Sequence, residues 1–149
     1  FFNFALGNKF EKKKFNITNR KDSSSFLKIN NVIKNSDHKI KEERLIEIKP
    51  LNKVIDVTNL IKPILIKIDV QGYEFEVLKG SSDILKQTKY IIIEVSENEI
   101  YKGQCLAYEI IEHLKNINFI ITKETKAYKI SGSEFKQRDI LFTNKIINE

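Results

Sequence analysis

Two stretches of the chain carry nearly unbroken runs of apolar residues, and each is followed by a helix-like pattern. Residues 64–70, ILIKIDV, contain only two charges, and residues 90–96, YIIIEVS, contain one. Runs of this kind are typical of β-strands that are covered on both faces, because such strands have almost no polar side. Between them, residues 73–80, YEFEVLKG, predict a helix that ends at a C-terminal glycine.

The rest of the C-terminal half continues this alternation. Ser81 or Ser82 caps a further helical turn. Residues 106–118 have the apolar spacing of one face of an amphipathic helix. Two segments, 119–131 and 139–145, predict a closing antiparallel pair. We therefore predict an α/β fold with a Rossmann-like, mostly parallel sheet and an antiparallel C-terminal hairpin.

The N-terminal half has a weaker pattern. Residues 1–8 predict a short strand followed by a turn, and residues 12–19 predict a second strand that is partly exposed. Residues 20–25 are rich in turn formers, and residues 38–49 predict a third strand. Residues 51–61 lie between two prolines and predict a short helix.

Length and composition describe one folded domain. The 149 residues are 41% hydrophobic and 31% charged, which excludes a disordered chain and gives room for a core. No apolar run approaches the ~20 residues of a membrane span, so we predict no membrane partner. The single cysteine, Cys105, fits a reducing compartment, and we predict a cytoplasmic protein. Methionine is absent, which leads us to predict that residues 1–149 are a fragment without its N-terminal part.

The net charge of +6 does not by itself indicate a nucleic-acid partner. Only three of the 26 basic residues are arginine, and arginine is the usual residue for reading base edges and phosphates. The abundance of Lys, Ile and Asn also has a simple origin in A/T-rich codons. We therefore predict no nucleic-acid partner.

Three acidic and basic side chains interrupt the apolar strands. Residues i and i+2 of a strand share a face, so Lys67 and Asp69 project together near the strand end. Glu94 has the corresponding position in the next strand. Ligands of open α/β sheets bind beyond the carboxyl ends of the strands, where these two carboxylates would converge as a general base or a cation ligand. A structural ion pair explains the same pattern, and both interpretations remain open at this point.

Several other kinds of site are excluded by spacing. The five glycines are all solitary, so no glycine-rich phosphate loop is present. No Cys/His spacing suggests zinc, and we predict no metal.

The segment LIKIDVQGYEFEVLKG at 65–80, followed by YIIIEVS, closely resembles the hallmark segment of the FkbM-type methyltransferases. FALGNK, KKKFNITN and SSSFL resemble the family's segment after its third strand. YKGQ at 101–104 and QRDILFTNK at 137–145 are similar to its usual ending. The family pattern often has Glu where this chain has Gln71, and Leu-Asp where it has Leu51-Asn52.

The resemblance implies the C-terminal portion of a single methyltransferase domain at 1–149, dependent on S-adenosylmethionine and usually acting on a hydroxyl group. Its acceptor would be a small molecule or a carbohydrate, and its glycine-rich cofactor loop would lie upstream. A non-catalytic α/β binding module is the alternative, and the sequence predicts no oligomeric state.

The strand pattern and the methyltransferase resemblance together suggest site residues. Asp69 is the first choice for positioning the acceptor or removing its proton, Glu94 is the second, and Lys67 tunes Asp69 or contacts the acceptor. By resemblance, the loop beside the adenine would contain Ala5, Leu6 and Asn8, and the acceptor side would contain Ser24 and Ser25. Glu74 faces the same entrance from the first helical turn, where complementing the helix dipole is the alternative role.

Overall fold

A computed structural model describes residues 2–31, 33, 38–130 and 133–147. Strands β1 (Ala5–Leu6), β2 (Glu11–Thr18) and β3 (Ile40–Lys49) form a small sheet in the order β1-β3-β2. β1 runs parallel to β3, and β2 runs antiparallel to it. The three N-terminal strands predicted from the sequence are therefore confirmed. Between residues 51 and 61 the chain forms two short 3-10 turns rather than the predicted helix.

The C-terminal half forms the larger sheet, and helices lie between its strands in the sequence. Its strands are β4 (Ile64–Ile68), β5 (Thr88–Ser96), β6 (Phe119–Glu124), β7 (Tyr128–Lys129) and β8 (Lys136–Asn144). The helices are α1 (Glu74–Lys79), α2 (Ser82–Leu85) and α3 (Ala107–Asn116). The strand order is β4-β5-β8-β6, with β7 paired to β8. In the described residues, no helix combines the length and apolar character needed to cross a bilayer.

The larger sheet is mixed, so the prediction of a mostly parallel sheet is wrong. β4 and β5 are parallel, whereas β8 is antiparallel to β5, β6 and β7. The closing antiparallel pair is confirmed, but β8 lies inside the sheet between β5 and β6 rather than at its edge. The short connection from β6 back to β8 requires antiparallel pairing, because parallel neighbours need a long crossover.

One face of the larger sheet packs against the helices and forms the core. The inward side chains of β5 and β8 are almost completely buried, as are Leu78 of α1 and Leu114 of α3. The periodic face predicted for α3 is confirmed, since Ala107 and Ile110 are buried in the same cluster.

The other face of β4 is exposed in the described part of the chain. Leu65 is 53% exposed, and Lys67 and Asp69 on the same face are also exposed. The prediction of a strand covered on both faces is therefore wrong for β4, whose Ile64 and Ile68 alone are buried. β4 is an edge strand in this sheet, and its polar face is the face that carries the candidate site.

Candidate functional site

Asp69 and Glu94 lie side by side at the carboxyl ends of neighbouring parallel strands. The register of β4 and β5 places Ile68 opposite Ile93, so the next residue of each strand is one of the two carboxylates. The predicted convergence of these two carboxylates at one edge of the sheet is therefore confirmed. We refer to Asp69 and Glu94 as the carboxylate pair.

One side-chain amide joins the carboxylate pair. Gln71 Nε2 donates to Asp69 Oδ1 at 3.0 Å and to Glu94 Oε2 at 3.3 Å. Glu94 Oε2 also accepts from Gln137 Nε2 at 2.9 Å, and Glu94 Oε1 accepts from the Tyr128 hydroxyl. Among the described residues, the donors to Glu94 are thus uncharged, and none of them neutralises its charge by direct contact.

The carboxylate pair opens into a pocket of about 370 Å³, which we call the polar pocket. Its lining includes Asp69, Gln71, Glu94, Tyr101, Tyr128 and Gln137. Hydrogen-bonding groups and aromatic rings thus converge on one concave site, which is the usual arrangement of a site for a small polar ligand.

The turn that follows Asp69 is held from below by a buried carboxylate. Glu74 is 5% exposed, and its Oε1 accepts from the backbone N–H groups of Gly72 at 3.0 Å and Val70 at 3.2 Å. Gly72 has φ 91°, and a Cβ atom there would lie 2.9 Å from Tyr101 Cβ. The turn therefore needs glycine for both its conformation and its close approach to Tyr101.

Burial raises the pKa of both Glu94 and Glu74. It raises the pKa of Glu94 above its ordinary value, and Asp69 and Asp139 raise it further, whereas the Tyr128 hydrogen bond lowers it. Burial raises the pKa of Glu74 to about 7, against the backbone hydrogen bonds that favour its charged form. Glu94 is therefore the carboxyl of the polar pocket whose ionisation moves toward neutral pH.

Lys67 and Asp69 form an ion pair at the rim of the site. Lys67 Nζ lies 3.0 Å from Asp69 Oδ2, and this hydrogen bond raises the pKa of Lys67. Both side chains are exposed to solvent, so the pair contributes at most about 1 kcal/mol to stability. Within the described residues, no cluster of three or more His, Cys, Asp or Glu side chains is arranged to hold a metal ion.

The predicted acceptor residues do not line the polar pocket. Ser25 is buried and donates its hydroxyl to the carbonyl oxygen of Gln71 at 2.6 Å. Ser24 Oγ accepts from the backbone N–H of Thr18 at 3.2 Å. The neighbouring Ser23 lines the polar pocket instead. The assignment of Ser24, Ser25 and Glu74 to acceptor binding stays a prediction. The contacts of Ser25 and Glu74 support the turn, whereas the contact of Ser24 is with the end of β2.

The predicted cofactor residues do not line the polar pocket. Ala5 lines a separate cavity of about 550 Å³ with several aromatic rings, which we call the aromatic cavity. Leu6 packs beside the main core, and Asn8 lines a third pocket between helices. Their role at a cofactor stays a prediction.

Sequence reasoning missed most of the partners of Glu94. Gln71 appeared only as a departure from a family pattern, although it lies two residues after Asp69. Gln137 and Asp139 share a face of β8 by alternation, and Asp139 is directly opposite Glu94. This alternation was a usable signal. Tyr128 comes from a two-residue strand that the pattern did not resolve.

Comparison with known proteins gives the family. Hexuronic acid methyltransferase AglP of Haloferax volcanii is 33% identical over 63 residues, which are 41% of this chain and 26% of that protein. 2-O-methyltransferase NoeI of Sinorhizobium fredii is 36% identical over 56 residues, which are 38% of this chain and 23% of that protein. The match therefore spans about a quarter of each relative. No solved structure matches.

The family model that matches is described as the methyltransferase FkbM domain, and it covers residues 1–121. This range contains the carboxylate pair and Gln71 but ends before Tyr128 and Gln137. Since the match covers most of the 149 residues, the chain belongs to the FkbM methyltransferase family.

Proposed function

We propose that the protein transfers a methyl group from S-adenosylmethionine to a hydroxyl group of a carbohydrate acceptor. The observation that carries the proposal is the carboxylate pair, which one amide joins at the floor of an open polar pocket. Family membership supports methyl transfer. The names of the two relatives, a hexuronic acid methyltransferase and a 2-O-methyltransferase, support a sugar hydroxyl as the acceptor.

The aromatic cavity is suited to the adenine of the cofactor. Its lining combines Ala5 with the rings of Phe4, Phe15 and Phe26, on which a purine can stack. The Phe26 ring also packs against Tyr73 with ring centroids 5.1 Å apart, so aromatic contacts connect this cavity to the turn beside the polar pocket. S-adenosylmethionine, when bound, supplies an activated methyl group on a sulfonium sulfur.

Of the three residues predicted for the first loop, we assign the adenine contact to Ala5, which lines the aromatic cavity. Leu6 packs beside the main core and Asn8 lines the third pocket, so we assign neither of them to the adenine. The mixed sheet is compatible with a Rossmann-like methyltransferase domain. We assign residues 1–149 to the C-terminal portion of one such domain.

Within the polar pocket, we assign different tasks to the two carboxylates. Glu94 takes the proton of the acceptor hydroxyl, because a base works best when its pKa lies near the working pH and burial moves Glu94 in that direction. Asp69 accepts a hydrogen bond from the acceptor and orients it, while Lys67 holds Asp69 Oδ2 at 3.0 Å. This reverses the order that the sequence suggested, in which Asp69 came first.

The walls of the polar pocket suit a sugar ring. A saccharide needs many hydrogen-bonding groups around its hydroxyls and flat surfaces beside its C–H faces, and the pocket offers acidic, amide and phenol groups together. Arg20 and Lys129 also line it, although each is paired with a neighbouring carboxylate, Asp22 and Glu134 respectively. Both neutral and acidic sugars are therefore included among the acceptors to be tested.

The test uses the complete protein with labelled S-adenosylmethionine and a panel of neutral sugars, uronic acids and their oligosaccharides. We expect Glu94→Gln to lower kcat about 100- to 10,000-fold, as removal of a general base does. We expect Asp69→Asn to lower it about 10- to 100-fold, because it loses a charged hydrogen bond to the acceptor.

The matched control is Glu112→Gln, which removes an exposed carboxylate from the surface of α3 and should leave turnover unchanged. Unchanged turnover in Glu94→Gln would remove Glu94 from the mechanism. A wild-type protein that binds sugars without methylating any of them would instead be the non-catalytic α/β binding module.

A further inference from the structure

Gln71 has an uncommon backbone conformation for a residue with a side chain. Its φ is 54°, in the left-handed region, and Gly72 follows at φ 91°. A residue other than glycine keeps such a conformation only when surrounding contacts hold it. Ser25 provides one of them through its 2.6 Å hydrogen bond to the Gln71 carbonyl oxygen. The fold therefore fixes the direction in which the Gln71 side chain leaves the backbone.

The orientation of the Gln71 amide follows from its neighbours. Its nitrogen lies within hydrogen-bond distance of Asp69 Oδ1 and Glu94 Oε2, where a carbonyl oxygen would be repelled. Its oxygen lies 2.9 Å from the hydroxyl of Tyr101, which divides its proton between this oxygen and the Ser23 carbonyl oxygen at 3.1 Å. Both ends of the amide thus have partners that suit them.

An amide matches this position for a chemical reason. An NH₂ group carries two protons, one for each carboxylate, and it stays neutral at every pH at which the protein is folded. Two neighbouring carboxylates repel each other, and the charge of Asp69 raises the pKa of Glu94. The amide compensates both charges without adding a titrating group to the polar pocket.

We propose that Gln71 is a positioning residue that holds the Asp69 and Glu94 carboxylates together around one acceptor hydroxyl, with Tyr101 fixing the direction of its amide. The catalytic consequence rests on the function proposed above. The charge compensation does not, since it follows from the contacts of Gln71 alone. The two parts are therefore tested separately.

The first test is Gln71→Asn in the complete protein. Asparagine tolerates the left-handed backbone better than glutamine does, but its side chain is one methylene shorter and cannot reach both carboxylates. We expect the thermal midpoint to stay level or rise, while kcat falls on the order of 100-fold through misplacement of the reacting groups. A structural role alone predicts unchanged kcat, and that result would overturn the catalytic part.

The second test follows the proton affinity of Glu94 without any turnover. Gln71→Glu places a third carboxylate beside the pair, and the Glu94 titration midpoint, measured by NMR on carbon-13-labelled glutamate, should rise by about one pH unit or more. The acidic limb of the kcat/KM profile should move by a similar amount. Other ionisable groups face the pair and remain in place: Lys67, Glu74, Tyr101, Tyr128 and Asp139 near it, and Arg20, Asp22, His38 and Lys129 on the pocket wall.

Gln87→Glu is the matched control, since it makes the same chemical change at a residue outside the polar pocket. We expect it to leave the Glu94 midpoint and the pH profile unchanged. An unchanged Glu94 midpoint in Gln71→Glu would overturn the charge compensation, whether or not any acceptor is methylated. If Gln71→Glu shifts the midpoint but the wild-type protein methylates nothing, the proposed function fails and the compensation stands.

Discussion

Glu74 and Glu94 belong to the same small region, and burial raises the pKa of both. Glu74 lies beneath the turn at residues 69–73 and accepts from backbone N–H groups, which cannot move without unfolding the turn. Glu94 lies at the floor of the polar pocket and accepts from the side chains of Gln71, Tyr128 and Gln137. The two carboxyls thus differ in their donors and in their access to solvent.

This difference separates a structural carboxyl from a chemically useful one. A perturbed pKa does not identify a site by itself, because burial raises the pKa of Glu74 to about 7 although this side chain is sealed in the protein. Side-chain donors allow a carboxylate to exchange one partner for a ligand, whereas backbone donors do not. Of these two glutamates, Glu94 is the one that has a raised pKa and also lines the polar pocket.

The strongest test of this comparison is the pH dependence of stability. The pKa of Glu74 rises from 4.5 to about 7, so the native state holds a proton that the unfolded state loses as pH increases from 4.5 to 7. The free energy of unfolding should therefore fall across this interval, by roughly 3 kcal/mol from Glu74. Glu74→Gln keeps an oxygen that accepts both backbone N–H groups, and it should remove this part of the slope.

Urea unfolding at pH 4.5 and pH 7.5 measures the effect. Glu112→Gln, a change on the exposed surface of α3, should keep the wild-type slope. Some slope should persist in Glu74→Gln, because burial also raises the pKa of Glu94. An identical slope in wild type and Glu74→Gln would show that folding does not raise the pKa of Glu74.

Local sequence pattern was sufficient to predict the strands other than β7, helix α3 and the convergence of the carboxylate pair. Apolar runs define β4 and β5, and an i, i+2 pattern with a parallel neighbour places Asp69 beside Glu94. The order of the strands in the larger sheet was harder to predict from the sequence. The antiparallel insertion of β8 between β5 and β6 depends on pairing between distant segments, which local periodicity does not encode.

The partners of the site were harder to predict for the same reason. Tyr101 reaches Gln71 across 30 residues of sequence, and Tyr128 reaches Glu94 across 34. Such contacts exist only after the chain has folded, and neither tyrosine has a distinctive local pattern. The resemblance to a family supplied the activity class, which no charge or spacing in this chain determines alone.

A smaller effect is expected from Gly72, whose backbone N–H donates to Glu74. Gly72→Ala must place a Cβ at φ 91° and 2.9 Å from Tyr101 Cβ, so we expect a loss of about 1–3 kcal/mol in the free energy of unfolding. Gly103→Ala is a matched control, since Gly103 has φ 80° but its added Cβ would have no neighbour within 4 Å. The difference between the two variants measures the contact with Tyr101. Equal losses in urea unfolding would mean that this contact relaxes freely.

The smallest effect concerns the hydroxyl that Tyr128 donates to Glu94. Removing a donor to the charged form raises the pKa of a carboxyl, so Tyr128→Phe should move the Glu94 midpoint upward. Tyr128 is 44% exposed and water can replace its hydroxyl, so we expect a shift of about half a pH unit by NMR titration. Tyr108→Phe, at a tyrosine that is 65% exposed on α3, should produce no shift. If Tyr128→Phe reduced turnover as strongly as Glu94→Gln, the phenol itself would belong to the proton path, and side-chain donors would be less exchangeable than the contrast with Glu74 implies.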